Sequence, residues 1–523
     1  MNRVLLVTTF LLFTLFRIAP AQTLRTAPAN PDSALQNILA SLEGTQLSLK
    51  DAIASALQNA TSVRTAEAAY RAASGARRKE AGAFDPSLFF TFNHLDQQLP
   101  TSSPFAGADV LKTKQSDMSG GLRMTLPIGT GIEASVSTTK LETNSGFAFL
   151  NPENTAVGNL SVRQPLFGFL TSNKNLSRSD KELEAAKARY DQELVAVSAQ
   201  VEQRYWDLYA AERDFAVRKL TRDRAEAFLK ETETRARTGL VGPNQVANAR
   251  TFRAEQEIAL LDSEEELDRI SDQLSSLIDR RPTAGKHRLL ASDSPPDEFA
   301  VEDIAVLVER AQQRNLNLQA AKADVEALRS LSNAAFWEAL PKIDLVGSLG
   351  GNGLTGSPQQ VIFLGTPQPL SPRSGNLGGA IRQALKRDFP TWSLGIELSV
   401  PIGLRSGFGE EERLEAEVVI AEQRQLQLER ALEEQVRTSA RELWNGARRL
   451  KAAREGVEAA HEQVRIGLIE FQNGRSTAFE LVRLSADFAA AQQRYSQALV
   501  RSAKAAAHLR QLTSGAYEGA TRR

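Results

Sequence analysis

The chain carries one large unit twice, and this duplication limits its possible folds more than any other feature. The stretch LSLKDAIASALQNATSVRTAEAAYRAA near the start is answered by FAVEDIAVLVERAQQRNLNLQAAKADVEA near the middle. Each runs on helically to a proline that opens a strand-like run: Pro86 before Ser87-Leu88-Phe89-Phe90, and Pro341 before Lys342-Ile343-Asp344-Leu345. A second strand in each half closes at a proline, GNLSVRQPLF at Pro165 and LGIELSVPIG at Pro401. A very long helical stretch follows, then a glycine break at Gly239 or Gly474, then another helix. Equivalent landmarks lie about 235 to 255 residues apart, far beyond the period of a short solenoid repeat. The expected units are residues 22–290 and 291–515, with 516–523 as a short tail.

The long helices carry a heptad seam. Leu183, Tyr190, Leu194, Val197, Val201, Leu208 and Phe215 recur in steps of seven, four and three, with alanine and charge between them. No proline falls between Pro165 and Pro243, and none follows Pro401. A helix from 175 to 238 is roughly 95 Å long at 1.5 Å per residue. The remaining helices, 48–83, 244–281, 301–338 and 477–513, are each roughly 55 Å by the same rise. Two of these laid end to end match one long helix, which predicts a cylinder built from whole and spliced staves.

The strand-like runs alternate apolar with polar or small residues, GIEASVSTTK, SGGLRMTL and WSLGIELSV most clearly. Such alternation fits a wall with one lipid-facing and one water-facing side. Two strands per repeat are expected, and more in the first half if Gly129-Thr130-Gly131 turns a further hairpin. Phe84, Phe89, Phe167, Phe169, Phe336, Trp337 and Trp392 cluster at strand ends, either as an interfacial girdle or as core. Arg3, the apolar run Val4 to Phe16 and Ala19-Pro20-Ala21 read as a signal peptide over 1–21. An exported chain without an apolar helix of about 20 residues crosses a bilayer only as a closed barrel. The expected strands are too few to close one alone, so closure falls to several chains under cyclic symmetry.

Composition narrows the chemistry. The chain has no cysteine, which removes disulfides, thiolate nucleophiles and iron–sulfur ligation. Its four histidines, His94, His287, His461 and His508, are scattered, and a multi-histidine metal site is not expected. Basic and acidic residues balance at 63 each, giving no general attraction to nucleic acid. Gly351-Asn352-Gly353-Leu354-Thr355-Gly356 matches a dinucleotide fingerprint, but the proline-rich SPQQVIFLGTPQPLSP follows where that fingerprint needs a helix. It reads instead as a glycine-rich loop between barrel strands. No nucleophile–base pairing is visible, so neither an enzyme nor a cofactor is expected. A periplasmic coiled-coil scaffold is the alternative to a channel, though it needs neither the strand pairs nor the duplication.

With the strand closures SVRQPLF and LSVPIG and the two helical tips RTGLVGPNQVANAR and FQNGRSTAFELVRLSADF in register, the chain resembles the TolC-like outer membrane efflux channels from about Leu47 to Thr513. The resemblance implies a mainly α fold with a membrane β-barrel: a homotrimer pooling strands, commonly four per chain, above a helical tunnel in the periplasm. It implies an exit duct in the outer membrane for efflux or type I secretion, set among outer membrane lipid. It also implies docking to a periplasmic adaptor and an inner-membrane pump of RND, ABC or MFS type. The tips Gly239, Leu240, Val241, Gly242 and Gly474, Arg475, Ser476, Thr477 would meet the adaptor. Family aspartates at the entrance fall on Gln245 and Glu480, and a further acidic position falls on Arg483. A tyrosine and an arginine that link helices in some members fall on Phe471 and Ser476. Glu480 is left to form an acidic ring, or to complete a capping box with Thr477.

Overall fold

A computed structural model describes residues 33–514 except 103–105, 285, 297, 300, 301, 364 and 474. The expected signal peptide, the tail 516–523 and Gly474 therefore lie outside the described residues.

Helix α1 (Ser33–Ala40), strand β1 (Thr45–Leu47), α2 (Leu49–Asn59) and α3 (Thr61–Ala81) open the chain. Four long strands follow: β2 (Ser87–Pro100), β3 (Val110–Thr125), β4 (Gly131–Thr143) and β5 (Leu150–Pro165). A short α4 (Gly168–Thr171) leads into α5 (Lys174–Arg237), and α6 (Pro243–Ile278) and β6 (Leu289–Ala291) end the first half. The second half repeats the order with α7 (Ile304–Arg314), α8 (Leu316–Ala339) and β7 (Lys342–Pro358). Then come the small β8 (Ile362–Phe363) and β9 (Thr366–Pro367), helix α9 (Leu377–Lys386), β10 (Phe389–Ser399), α10 (Arg405–Gln472) and α11 (Ala478–Leu512).

Both long helices reach the expected length, 64 residues in α5 and 68 in α10. The two helices expected before the strands are each broken once, at Ala60 and at Asn315. At the second break Asn315 accepts from the Leu318 N–H at 3.1 Å and donates to the Leu512 carbonyl at 2.9 Å. That side chain satisfies a helix start and a helix end together, which favours the kink over a straight run.

The seam packs as expected. Val197, Val201, Leu208 and Phe215 are buried in one core with Leu267, Leu274 and Ile278 of α6 and Ile53 of α2. Nearer the sheet the seam thins to alanine: Ala185 and Ala188 of α5 meet Ala320 and Ala323 of α8. A methyl lets two backbones approach closely, at the cost of apolar area. Midway along the helices β1 and β6 pair in parallel, Thr45 with Leu289 through Leu47 with Ala291. Buried Tyr205 fastens this junction, donating to the Leu47 carbonyl at 2.9 Å and accepting from the Asp293 N–H at 2.9 Å.

The six long strands form one antiparallel sheet, in the order β10-β7-β5-β4-β3-β2. The resemblance implies four. The additional pair is the hairpin at Gly129-Thr130-Gly131, where Leu126 donates to the Thr130 carbonyl at 2.8 Å. Gly129 has φ +88, and a side chain there would also meet Gly168 and Ser172 of the α4 turn. Only glycine serves at that position.

Candidate functional site

The sheet has two chemically distinct faces, and the register fixes them. On one face Leu88, Leu122, Ala134, Leu160, Leu349 and Trp392 follow one another across all six strands. Leu394, Ile396 and Leu398 continue this face down β10, and Ile396 is 75% exposed. A row of large apolar side chains with no protein over them is a lipid-facing surface. Among the described residues no helix is long and apolar enough to cross a membrane.

The opposite face is polar. Arg123, Glu133, Ser161, Ser348 and Ser393 lie in register across β3, β4, β5, β7 and β10. Thr139 donates to Asp117 at 2.6 Å, and the Ser348 and Ser393 hydroxyls meet at 2.7 Å. Arg163 spans three strands, reaching Asp344 at 2.6 Å and Glu397 at 2.9 Å. Phe89 belongs to this polar face, with the Arg123 guanidinium 4.5 Å over its ring, so of the two places expected for it, lipid-facing girdle or core, it takes neither. Strand parity puts Phe89 opposite Leu88. Trp392 stands on the apolar face, while Phe167 and Phe336 both pack on Trp337 with ring centroids 5.4 Å apart, at the junction of sheet and helices.

The junction prolines sit where sheet gives way to helix. Pro86 precedes β2, Pro165 is the last residue of β5, Pro341 separates α8 from β7, and Pro401 follows β10. There the missing N–H costs no ladder bond.

At the far end of the long helices are the two tips. Gly239 takes φ +76 and donates to the Ala236 carbonyl at 3.1 Å, while Leu240 donates to the Arg235 carbonyl at 3.0 Å. This pair of bonds is a Schellman stop. Val241 leads to Gly242, which caps α6, and Pro243 is the first helical residue. Leu240 is 76% exposed, an apolar side chain offered to water at the apex. At the second tip Arg475 donates to the Glu470 carbonyl at 2.8 Å, and Thr477 caps α11 by accepting from the Glu480 N–H at 3.3 Å. The full capping box is not made. Its return bond is replaced by one from the Ser476 hydroxyl to the Glu480 carboxylate, 3.2 Å long.

Of the entrance candidates, Gln245, Glu480 and Arg483 are exposed on the first turns of α6 and α11. Phe471 is different: it is buried, with the Arg235 guanidinium 4.2 Å over its ring, and so ties the end of α10 to the end of α5. Gly351-Asn352-Gly353-Leu354-Thr355-Gly356 is part of β7 itself, not a loop. Its glycines admit the small helix α9, since a side chain on Gly351 or Gly353 would strike the carbonyls of Ala384 and Ala380. Sequence reasoning missed α9. The signal was there, with Asn376 as cap and Leu377, Ile381 and Leu385 four residues apart.

Glu212 also escaped the sequence reading. It lies on α5 beneath β6, almost fully buried, and accepts from the Ala291 N–H at 2.6 Å. Burial pushes its carboxyl pKa up to about 8. Its neighbour on the same helix, Glu202, is buried too, but there Arg510 and the Trp206 N–H answer it.

One amphipathic antiparallel sheet, shared by both halves of the chain, stands on long paired helices that recur in each half, the build of a membrane protein with a helical extension. The chain matches the profile of the outer membrane efflux protein family over residues 52–279 and 307–515, and it belongs to that family. No curated protein matches it in sequence. Its fold is shared by solved outer membrane channels of low identity. VceC from Vibrio cholerae is 14% identical over 90% of this chain and 97% of that one, with a TM-score of 0.61. The open state of MtrE from Neisseria gonorrhoeae is 16% identical over 89% of each chain, at 0.61. CmeC from Campylobacter jejuni is 13% identical over 91% of this chain and 87% of that one, at 0.60. The protein is an outer membrane efflux channel.

Proposed function

We propose that three copies of the chain close their sheets edge to edge, β10 of one copy against β2 of the next, into a single barrel of eighteen strands. The chain then acts as the exit duct of a tripartite efflux pump or type I secretion system. Its tips, Gly239 to Gly242 and Gly474 to Thr477, dock on a periplasmic adaptor, and an inner-membrane pump of RND, ABC or MFS type supplies the cargo. The units 22–290 and 291–515 are the two repeats, and residues 1–21 direct export. One observation carries the reading: an amphipathic six-stranded sheet ends in two open edges, at β10 and at β2. Unpaired edges inside a bilayer leave backbone groups without partners, and closure with further copies is the remedy. A barrel of 16–18 strands leaves an aqueous channel, and the polar face lined by Arg163, Asp344 and Glu397 would form its wall.

The test is imaging of the detergent-solubilised protein. A threefold particle with one continuous barrel above a helical tunnel is expected. A monomeric particle, or a trimer of separate sheets, overturns the reading.

A further inference from the structure

Helix α9 has no task in a passive duct, yet the sheet is cut to receive it. Ala380 and Ala384 lie against Ala156 of β5, and Gly158, Gly351 and Gly353 keep the sheet bare beneath them. Polar bonds lock the seat: Thr355 donates to the Asn376 carbonyl at 2.8 Å, and the Leu354 N–H reaches the Gln383 side chain at 3.0 Å. By register, Ala156, Gly351 and Gly353 belong to the apolar face, so α9 lies on the outside of the wall. Its seat begins just past Trp392, which pairs with Leu349, on the side away from the long helices. An interfacial tryptophan marks the headgroup level.

What α9 presents outward is amphipathic. Leu385 is 62% exposed and continues the apolar band. Arg382, Lys386 and Arg387 are exposed beside it, and Arg382 and Lys386 have no ion pair among the described residues. From Arg373 to Phe389 there are four basic residues and one acid, Asp388, in a chain whose overall charge is zero. An apolar stripe flanked by cations at headgroup depth is the chemistry of an interfacial helix on an anionic lipid surface.

We infer that α9 is a collar that holds phosphorylated lipid headgroups of the outer leaflet against the channel wall, with Leu385 in the acyl boundary and Arg382, Lys386 and Arg387 on the phosphates. The inference rests on the barrel reading above, and the experiment separates the two. Leu385→Cys and Ile396→Cys each create a unique labelling site in this cysteine-free chain. Bimane at each position is followed in proteoliposomes of bromine-labelled phosphatidylcholine containing lipid A. Quenching at both positions is expected. Quenching at Ile396 alone overturns the collar and leaves the barrel standing, whereas quenching at neither removes the barrel and the collar with it. Native mass spectrometry of the trimer then reads lipid A retention. Arg382→Gln with Lys386→Gln should reduce it about tenfold or more, given the pull of each cation on an anionic surface. Excess inorganic phosphate should leave wild-type retention unchanged. Equal retention by variant and wild type, or displacement of lipid by free phosphate, overturns the assignment.

Discussion

Glu480 stands at the first turn of α11 with its carboxylate held by Ser476 and its N–H by Thr477. A cap tolerates glutamine at that position, so Glu480→Gln should leave trimer yield unchanged. Threefold symmetry would gather three such carboxylates near the axis, where confined like charges reinforce each other's attraction for cations. Single-channel recordings should therefore show a cation-selective pore, blocked by trivalent cations from the periplasmic side, with both effects reduced in Glu480→Gln. Unchanged selectivity and block would leave Glu480 as a helix cap alone. Glu212 makes a different statement. An acid whose folded pKa lies above its unfolded value keeps its proton in the native state. Its contribution is present in full below the ordinary glutamate range near 4.5 and is lost as pH rises through about 8. The loss reaches a few kcal/mol on the alkaline side. Melting of the detergent-solubilised protein should fall as pH is raised from 6 to 9. Glu212→Gln keeps an acceptor for the Ala291 N–H and should remove most of that dependence. Parallel curves for the two proteins would show that Glu212 does not titrate there.

The elements fall into those that local sequence specifies and those that packing specifies. Helices α5 and α10 follow from their seams, and the tips follow from glycine and proline chemistry. Leu240 and Arg475 are exposed at turns that end the two longest helices, far from the strands. Leu240→Cys and Arg475→Cys should crosslink to a periplasmic adaptor. Efficient labelling of both from outside intact cells would reverse the orientation. The breaks at Ala60 and Asn315 and the pairing of β1 with β6 were not legible. The last two depend on partners far along the chain, as Asn315 depends on the Leu512 carbonyl and Thr45 on Leu289. The glycine run of β7 misled for the same reason. Glycine without a partner in view reads as a loop, whereas here it is the seat of a helix that begins two dozen residues later.

At the scale of the whole molecule the hairpin of β3 and β4 matters most. In the proposed barrel it widens each chain's share of the wall from the four strands that the family resemblance implies to the six of this sheet. Barrel diameter grows roughly linearly with strand number, so eighteen strands give a bore about half as wide again as twelve. In the proposed trimer the constriction is then expected at the helical tips and not in the membrane. Opening the tips should raise conductance sharply, while Arg163→Gln in the barrel wall should change ion selectivity with little effect on conductance. A conductance limited by the barrel would be seen as sensitivity to Arg163→Gln and indifference to changes at the tips.

The sequence by itself determined the duplication, the long helices, the tip turns and the amphipathic strands. Each is written in residues close together along the chain, as periodicity, proline or glycine. It also placed the four prolines at the junctions, since a residue without an N–H marks where a ladder ends. Only the tertiary structure decided that all six strands share one sheet, which face of that sheet Phe89 occupies, and that Phe471 is buried under Arg235. It likewise decided that Glu212 is dry and that α9 lies on the apolar wall. Those properties arise between residues tens to hundreds of positions apart. A side chain's solvent, its opposite charge and the carbonyl that meets it are supplied by the fold and are not encoded next to it.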